Sequence, residues 1–361
     1  MSIYNTLLAQ YKNYSDEPPV PPTPGPDYSE PFYVEDISGS DNTVSIKKSG
    51  VSAPTLTIEK SLNGKTWETM GETSTTEITA TVPANGKLYL RCSTNTWGNS
   101  SFYNKITCSS QFNIGGNIMS LLYGSYFTGE ETTLPSGTTH TFRSLFYGVT
   151  TLVSAEKLLL PATTLVSTCY SYMFQGCSSL TTGPALPATT LTDFCYRSLF
   201  TNCTSLTTAP ELPATTLAQS CYGYMFQGCS SLTTAPELPA TTLVKSCYTS
   251  LFQNCTSLTV APELPATTLA NYCYESLFFG CTSLNYIKVG FTEWPNMAVS
   301  GASGYRATSS WTRIKENTTG TFVCPAALSQ EFNASGNNTN GYSSISGYTN
   351  AIPYGWTVET F

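Results

Sequence analysis

Histidine is nearly absent from this 361-residue chain. The single one, His140, lies in a Ser-Gly-Thr-Thr-His-Thr stretch with no acidic or cysteine neighbour, which argues against a catalytic or ligating role. Charge is scarce too: 11% of residues are charged, less than half the usual share. There is no run of Lys or Arg, and the formal net charge is −7. Phosphate backbones need a basic patch, so nucleic acid is excluded as a partner. No apolar run approaches the ~20 residues needed to cross a bilayer, so no membrane partner is expected. No basic stretch leads into a long apolar one at the N-terminus, so no export signal is expected. P-loop, Gly-x-Gly-x-x-Gly, HExxH and Gly-x-Ser-x-Gly motifs are all missing. Without a CxxC pair or a partner His there is no zinc set. The chain reads as non-enzymatic, with no cofactor and no metal.

What it has in quantity is repetition. Four units follow one another from Cys169 at a period of 26, the second being CYRSLFTNCTSLTTAPELPATTLAQS. A fifth unit starts at Cys273 and loses the pattern at Lys288. An earlier, degraded unit, SLFYGVTTLVSAEKLLLPATTLVST, carries two extra residues between Leu152 and Pro161. Self-similarity at this period means stacked units, none able to bury its apolar face alone. Within a unit Cys169, Met173 and Cys177 lie four apart, which predicts a short helical segment. A Thr-rich extended stretch follows, and Pro184 and Pro187 keep the next segment out of helix. Strand rungs are expected to begin near Leu152, Leu180, Leu206, Leu232, Leu258 and Leu284.

Ten of the thirteen cysteines fall into two periodic series, Cys169 to Cys273 and Cys177 to Cys281. Two cysteines eight residues apart in one helical segment would sit about 12 Å apart, too far for a bridge. The degraded unit puts Thr141 and Val149 in their slots. A slot that takes Val favours reduced, buried thiols, with disulfides between neighbouring units as the alternative. Glu211, Glu237 and Glu263 also recur, with Ala185 breaking their column. Identical surroundings do not split pKa values into acid and base, so they read as rim carboxylates.

The flanks differ in kind. Residues 1–15 place Ile3, Tyr4, Leu7, Leu8 and Tyr11 on one face of an amphipathic helix. The Pro-rich stretch 16–27 is a stiff spacer, so that helix reads as a docking element. Residues 28–112 alternate apolar and polar with period two, and Asn63-Gly64 and Asn85-Gly86 are hairpin signals; an Ig-like β-sandwich is expected. Residues 113–143 are expected to cap the first unit of a leucine-rich-repeat-type solenoid spanning 113–287. Trp294, Trp311 and Trp356 mark a β-rich closing module over 288–361, with an exposed loop at 333–346. The fold class is therefore mainly β with short helical segments.

The repeat units Cys-Thr-Ser-Leu-Thr-Thr-Ala-Pro-Glu-Leu-Pro-Ala-Thr-Thr-Leu-Ala and Cys-Tyr-x-x-Met-Phe-x-Gly-Cys resemble the BspA-like leucine-rich repeats. So do Gly116-Asn-Ile-Met-Ser-Leu-Leu-Tyr-Gly and Ile-Pro-Tyr-Gly-Trp-Thr-Val. That family occurs in surface proteins of gut Bacteroidetes and in their crAss-like phages. The resemblance implies adhesion, with no catalytic residues to carry over. Lack of an export signal favours the phage branch: a virion surface protein, head fibre, decoration or tail fibre. It would dock on a capsid or tail protein through its N-terminus and meet a host protein or glycan through the repeats, and a homo-oligomeric fibre is compatible with that role. The alternative is a bacterial cell-surface adhesin. Positions identical in every unit are consumed by stacking, so recognition falls to those that vary. Among them Tyr172, Phe194, Arg197, Tyr224, Lys245, Tyr272 and Glu275 are the candidate partner-binding residues.

Overall fold

The computed structural model describes residues 26–361 apart from 75, 95, 136, 295–305, 314–318, 330–351, 354 and 355. The docking residues Ile3, Tyr4, Leu7, Leu8 and Tyr11 and the loop 333–346 lie outside the described residues. The chain is mainly β, and its two short α-helices among the described residues, α1 (Ser120–Tyr123) and α2 (Ala326–Ser329), lie outside the 26-residue units.

Two sheets form the N-terminal part. One takes the order β4 (Glu68–Glu72), β3 (Thr57–Ser61), β6 (Lys87–Arg91), β1 (Tyr33–Asp36), β8 (Phe112–Asn117), β9 (Leu152–Leu159). The other is β5 (Ile78–Val82), β2 (Asn42–Lys48), β7 (Asn104–Cys108). Alternation decides the faces: Val44 and Ile46 of β2 and Leu88 and Leu90 of β6 point inward and join one core. Asn63-Gly64 closes the β3–β4 hairpin, with Gly64 at φ 71°. Asn85-Gly86 does not make a hairpin. It carries the chain from β5 in one sheet to β6 in the other, with Asn85 left-handed at φ 52°. The alternation that flags the strands is blind to which sheet each joins.

β8 spans the expected boundary at 112/113. It pairs antiparallel with β1 and parallel with β9, the first strand of the degraded unit. From β9 the ladder continues as single bridges, Ser154 to Thr182, Thr208, Thr234, Val260 and Tyr286. Beside a short parallel pair, β10 (Phe278–Phe279) and β12 (Thr312–Arg313), it ends in three parallel strands, β11 (Tyr286–Lys288), β13 (Thr321–Cys324) and β14 (Thr357–Thr360). One hydrogen-bonded edge thus runs from β4 to β14, and residues beyond 287 extend it. The rungs expected near Leu152 and Leu284 are strands, β9 and β11. Those near Leu180, Leu206, Leu232 and Leu258 shrink to one bridged residue each, Thr182, Thr208, Thr234 and Val260, because Pro184 and its equivalents lack the N–H that a longer ladder requires.

The expected helical segments of the units are not helices. Each is a ribbon of overlapping turns. Odd-numbered amides in 169–177 donate to the carbonyl three residues back, as Met173 N does to Tyr170 O at 3.2 Å. Even-numbered amides cross to the next unit, as Phe174 N does to Leu199 O at 3.0 Å. Every fourth residue is left-handed: Thr168, Tyr172 and Gly176 have φ of 63°, 60° and 76°. A right-handed helix has no such residue. The turn repeat is four, close enough to 3.6 to mimic a helix in the apolar pattern.

Stacked ribbons turn each invariant residue into a buried ladder. Phe142 and five tyrosines, Tyr170 to Tyr274, stack with centroids 5.8 to 6.1 Å apart. Phe146 to Phe278 stack at 5.5 to 6.0 Å. All thirteen cysteines are free thiols and buried. The second series donates to a neighbouring unit, Cys203 Sγ reaching Phe174 O at 3.1 Å. Burial pushes Cys169, Cys221 and Cys273 up to about 12, so they stay protonated. Each fully buried Leu, Met or Phe contributes about 1.5–3 kcal/mol of transfer free energy, and the stack multiplies that by its number of units.

Candidate recognition surface

The turn ribbon places its variable residues at registered heights. Rung-to-rung bonds define the register: Ser144 N to Ser171 O, Tyr172 N to Arg197 O, Ser198 N to Gly223 O, Tyr224 N to Thr249 O and Ser250 N to Glu275 O. Arg143, Ser171, Arg197, Gly223, Thr249 and Glu275 therefore share one column. Ser171, Gly223 and Thr249 of that column are nonetheless buried. Small side chains there tuck against the adjoining turn: Ser171 donates to Thr168 O and Thr249 to Tyr272 O.

Six of the candidate residues are partly buried, and Lys245 is exposed. The structure brings three of them into one cluster. The Arg197 guanidinium lies 5.7 Å from the Phe194 ring centroid and 4.9 Å from that of Tyr224. Its Nε is buried and has no hydrogen-bond partner among the described residues. Tyr172 stands two units below Tyr224 and carries its own cation, Arg143, at 5.3 Å. Arg143 also reaches Asn99 O at 3.3 Å, tying the cluster to the N-terminal sheets. Sequence reasoning missed Arg143, although Arg-Ser-Leu-Phe recurs at 143–146 and 197–200.

Lys245 and Tyr272 sit on later rungs, away from the Arg197 cluster. Glu275 stands apart as well: half-burial raises its carboxyl, and Arg306 pulls the other way. Beside Arg143, His140 is left-handed at φ 64° and its Nδ1 is 2.6 Å from Thr139 Oγ1. Burial and then Arg143 push that imidazole below its ordinary value, so it is neutral at pH 7.

A second concavity lies on another wall of the units. A groove of about 510 Å³ runs over Gly183, Ala185, Leu186 and Pro187 to Pro210 and Pro213, with Glu156 and Glu211 at its rim. It opens where Ala185 interrupts the glutamate column. Glu263 farther along is bound to Lys288 at 2.9 Å.

Among the described residues no group of His, Cys, Asp and Glu is placed to hold a metal ion, and no helix is long and apolar enough to cross a membrane. Comparison with protein-family models, curated proteins and solved structures finds no match to the chain.

Proposed function

We propose that this chain is a non-enzymatic surface protein of a phage virion, a head-fibre, decoration or tail-fibre component related to the BspA-like leucine-rich-repeat proteins. On this reading the ladder-built units form a short leucine-rich-repeat-type solenoid. The two N-terminal sheets are an Ig-like sandwich fused to its first rung, and the C-terminal strands close its far end. The observation that carries the reading is the division of labour within each unit. Invariant Cys, Tyr, Phe and Leu are spent in the interior, while aromatic and charged residues that differ between units stay half-exposed on one ribbon face. Extended stripes of that sort are how stacked-unit proteins bind partners, and exposed aromatics beside Arg suit sugar rings and protein hot spots.

Replacing Phe194, Arg197, Tyr224 and Tyr272 together by Ala should abolish binding to host cells while lowering the melting temperature little, because none of the four is fully buried. Deleting Met1–Ser15 should stop incorporation into particles and leave the repeat stack folded. Cell binding by the quadruple variant would sink the recognition reading. Normal particle incorporation of the truncated chain would sink the docking one.

A further inference from the structure

The ribbon face distributes its cations by rung. Arg143 and Arg197 occupy the same slot two rungs apart, as the shared bonds at Ser144 and Tyr172 establish. Lys245 lies two rungs beyond Arg197: its carbonyl takes the Ser220 amide just as the Asp193 carbonyl takes that of Thr168. Arg306 lies two rungs farther again, because Tyr274 N and Ser276 N donate to Ala307 O and Ser309 O. One cation therefore stands on every second rung, a rise of about 9.5 Å or two strand spacings, with Lys245 in the slot of Asp193 and Arg306 in that of Phe194, beside the slot of Arg143 and Arg197. This happens in a chain of net charge −7 whose repeated glutamates stand on a different wall. The ribbon-face carboxylates are Asp193, whose Oδ1 already accepts the Gln219 amide at 2.9 Å, and Glu275, which faces Arg306.

Resting on the recognition reading above, we infer that this face binds a linear anionic polysaccharide carrying one carboxylate or sulfate per disaccharide. A disaccharide unit is of the same order of length as two rungs, so successive acidic sugars meet successive cations in register. Arg143 and Arg197 sit over the Tyr172 and Tyr224 rings, 5.3 and 4.9 Å from their centroids, a contact that limits the rotamer freedom lost when the guanidinium takes a carboxylate or sulfate. The half-exposed edges of Phe194 and the tyrosines flank the cations and offer apolar contact to the sugars between.

The test is binding of the full chain to hyaluronan and chondroitin sulfate oligosaccharides, with neutral dextran and poly-L-glutamate as comparators. Both acidic glycans should bind, and raised salt should weaken them. Arg143→Gln and Arg197→Gln should each weaken them about tenfold or more, the scale of a charge-assisted hydrogen bond, at unchanged melting temperature. Arg197→Lys, which keeps the charge and loses the planar guanidinium fork, should fall between wild type and Arg197→Gln; it decides the matter if the Gln variants fold poorly. Binding indifferent to Arg197→Gln and Arg197→Lys alike, or equal binding to dextran, would overturn the inference while leaving the recognition reading intact. Preference for poly-L-glutamate would overturn it in favour of an acidic peptide. If neither acidic glycan binds while the protein still binds cells, the inference alone fails; if cell binding is absent too, both fail.

Discussion

Gly228 and Asn202 occupy the same left-handed slot on successive rungs, at φ 74° and 59°. The column reads Gly176, Asn202, Gly228, Asn254, Gly280, the two residue types that tolerate this conformation best. Their alternation has a packing reason. A Cβ built on Gly228 would collide with Asn202 Oδ1, and one on Gly280 with Asn254 Oδ1. Gly228→Ala should therefore cost about 1–3 kcal/mol, combining backbone strain with that clash. Adding Asn202→Gly should recover the clash share, seen as a coupling in a double-mutant cycle by thermal or urea unfolding. Strict additivity would show that the alternation is inherited and has no packing role. Asp36 is a second site with a calculable outcome. Burial raises its carboxyl, but the Asn85, Ser38 and Gly39 amides and the Ser38 hydroxyl outweigh that and hold it at about 2, below its ordinary 3.8. A lowered folded pKa adds stability at neutral pH that fades as pH falls from about 4 to 2, worth about 2 kcal/mol in all. Unfolding free energy measured across that window should drop for wild type and stay flatter for Asp36→Asn.

At the scale of the element, the unit is where sequence and structure part most clearly. Cys169, Met173 and Cys177 recur every four residues, and that spacing fits a helix and a four-residue turn repeat alike. The sign that separates them was present: Gly or Asn stands immediately before the second Cys in every unit, a left-handed signal with no place inside a helix. Thr168, Tyr172 and Phe194 gave no such warning, since each is held left-handed only by its bonds to the next rung, Thr168 N to Asp193 O among them. The same logic governs the recognition stripe. Its half-exposed residues were readable as positions that vary between units. The burial of Ser171, Gly223 and Thr249, and the seating of Arg197 between Phe194 and Tyr224, were not, because they depend on the neighbouring rung.

Across the whole molecule, β8 and β9 join the N-terminal sheets to the first rung, and β11, β13 and β14 carry the last one. A chain ending at Val289 should therefore lose cooperative unfolding and aggregate. Phe278 would lose Trp311, and Ile287 would be left at an open end without the strand of Phe322. Retention of wild-type solubility and melting temperature by that truncation would show that the closing strands are dispensable. The sequence by itself determined the period, the ladder residues, the thiol slots and the strands of the N-terminal sheets, because each follows from local alternation or from repetition of a buried position. Tertiary structure alone decided the rest: turn ribbon over helix, the bridge-wide ladder, the sheet that crosses both expected boundaries, and the meeting of Arg143 with Tyr172. These depend on hydrogen bonds and ring contacts to residues some 25 or more positions away, and no local pattern records which neighbour a backbone amide will find.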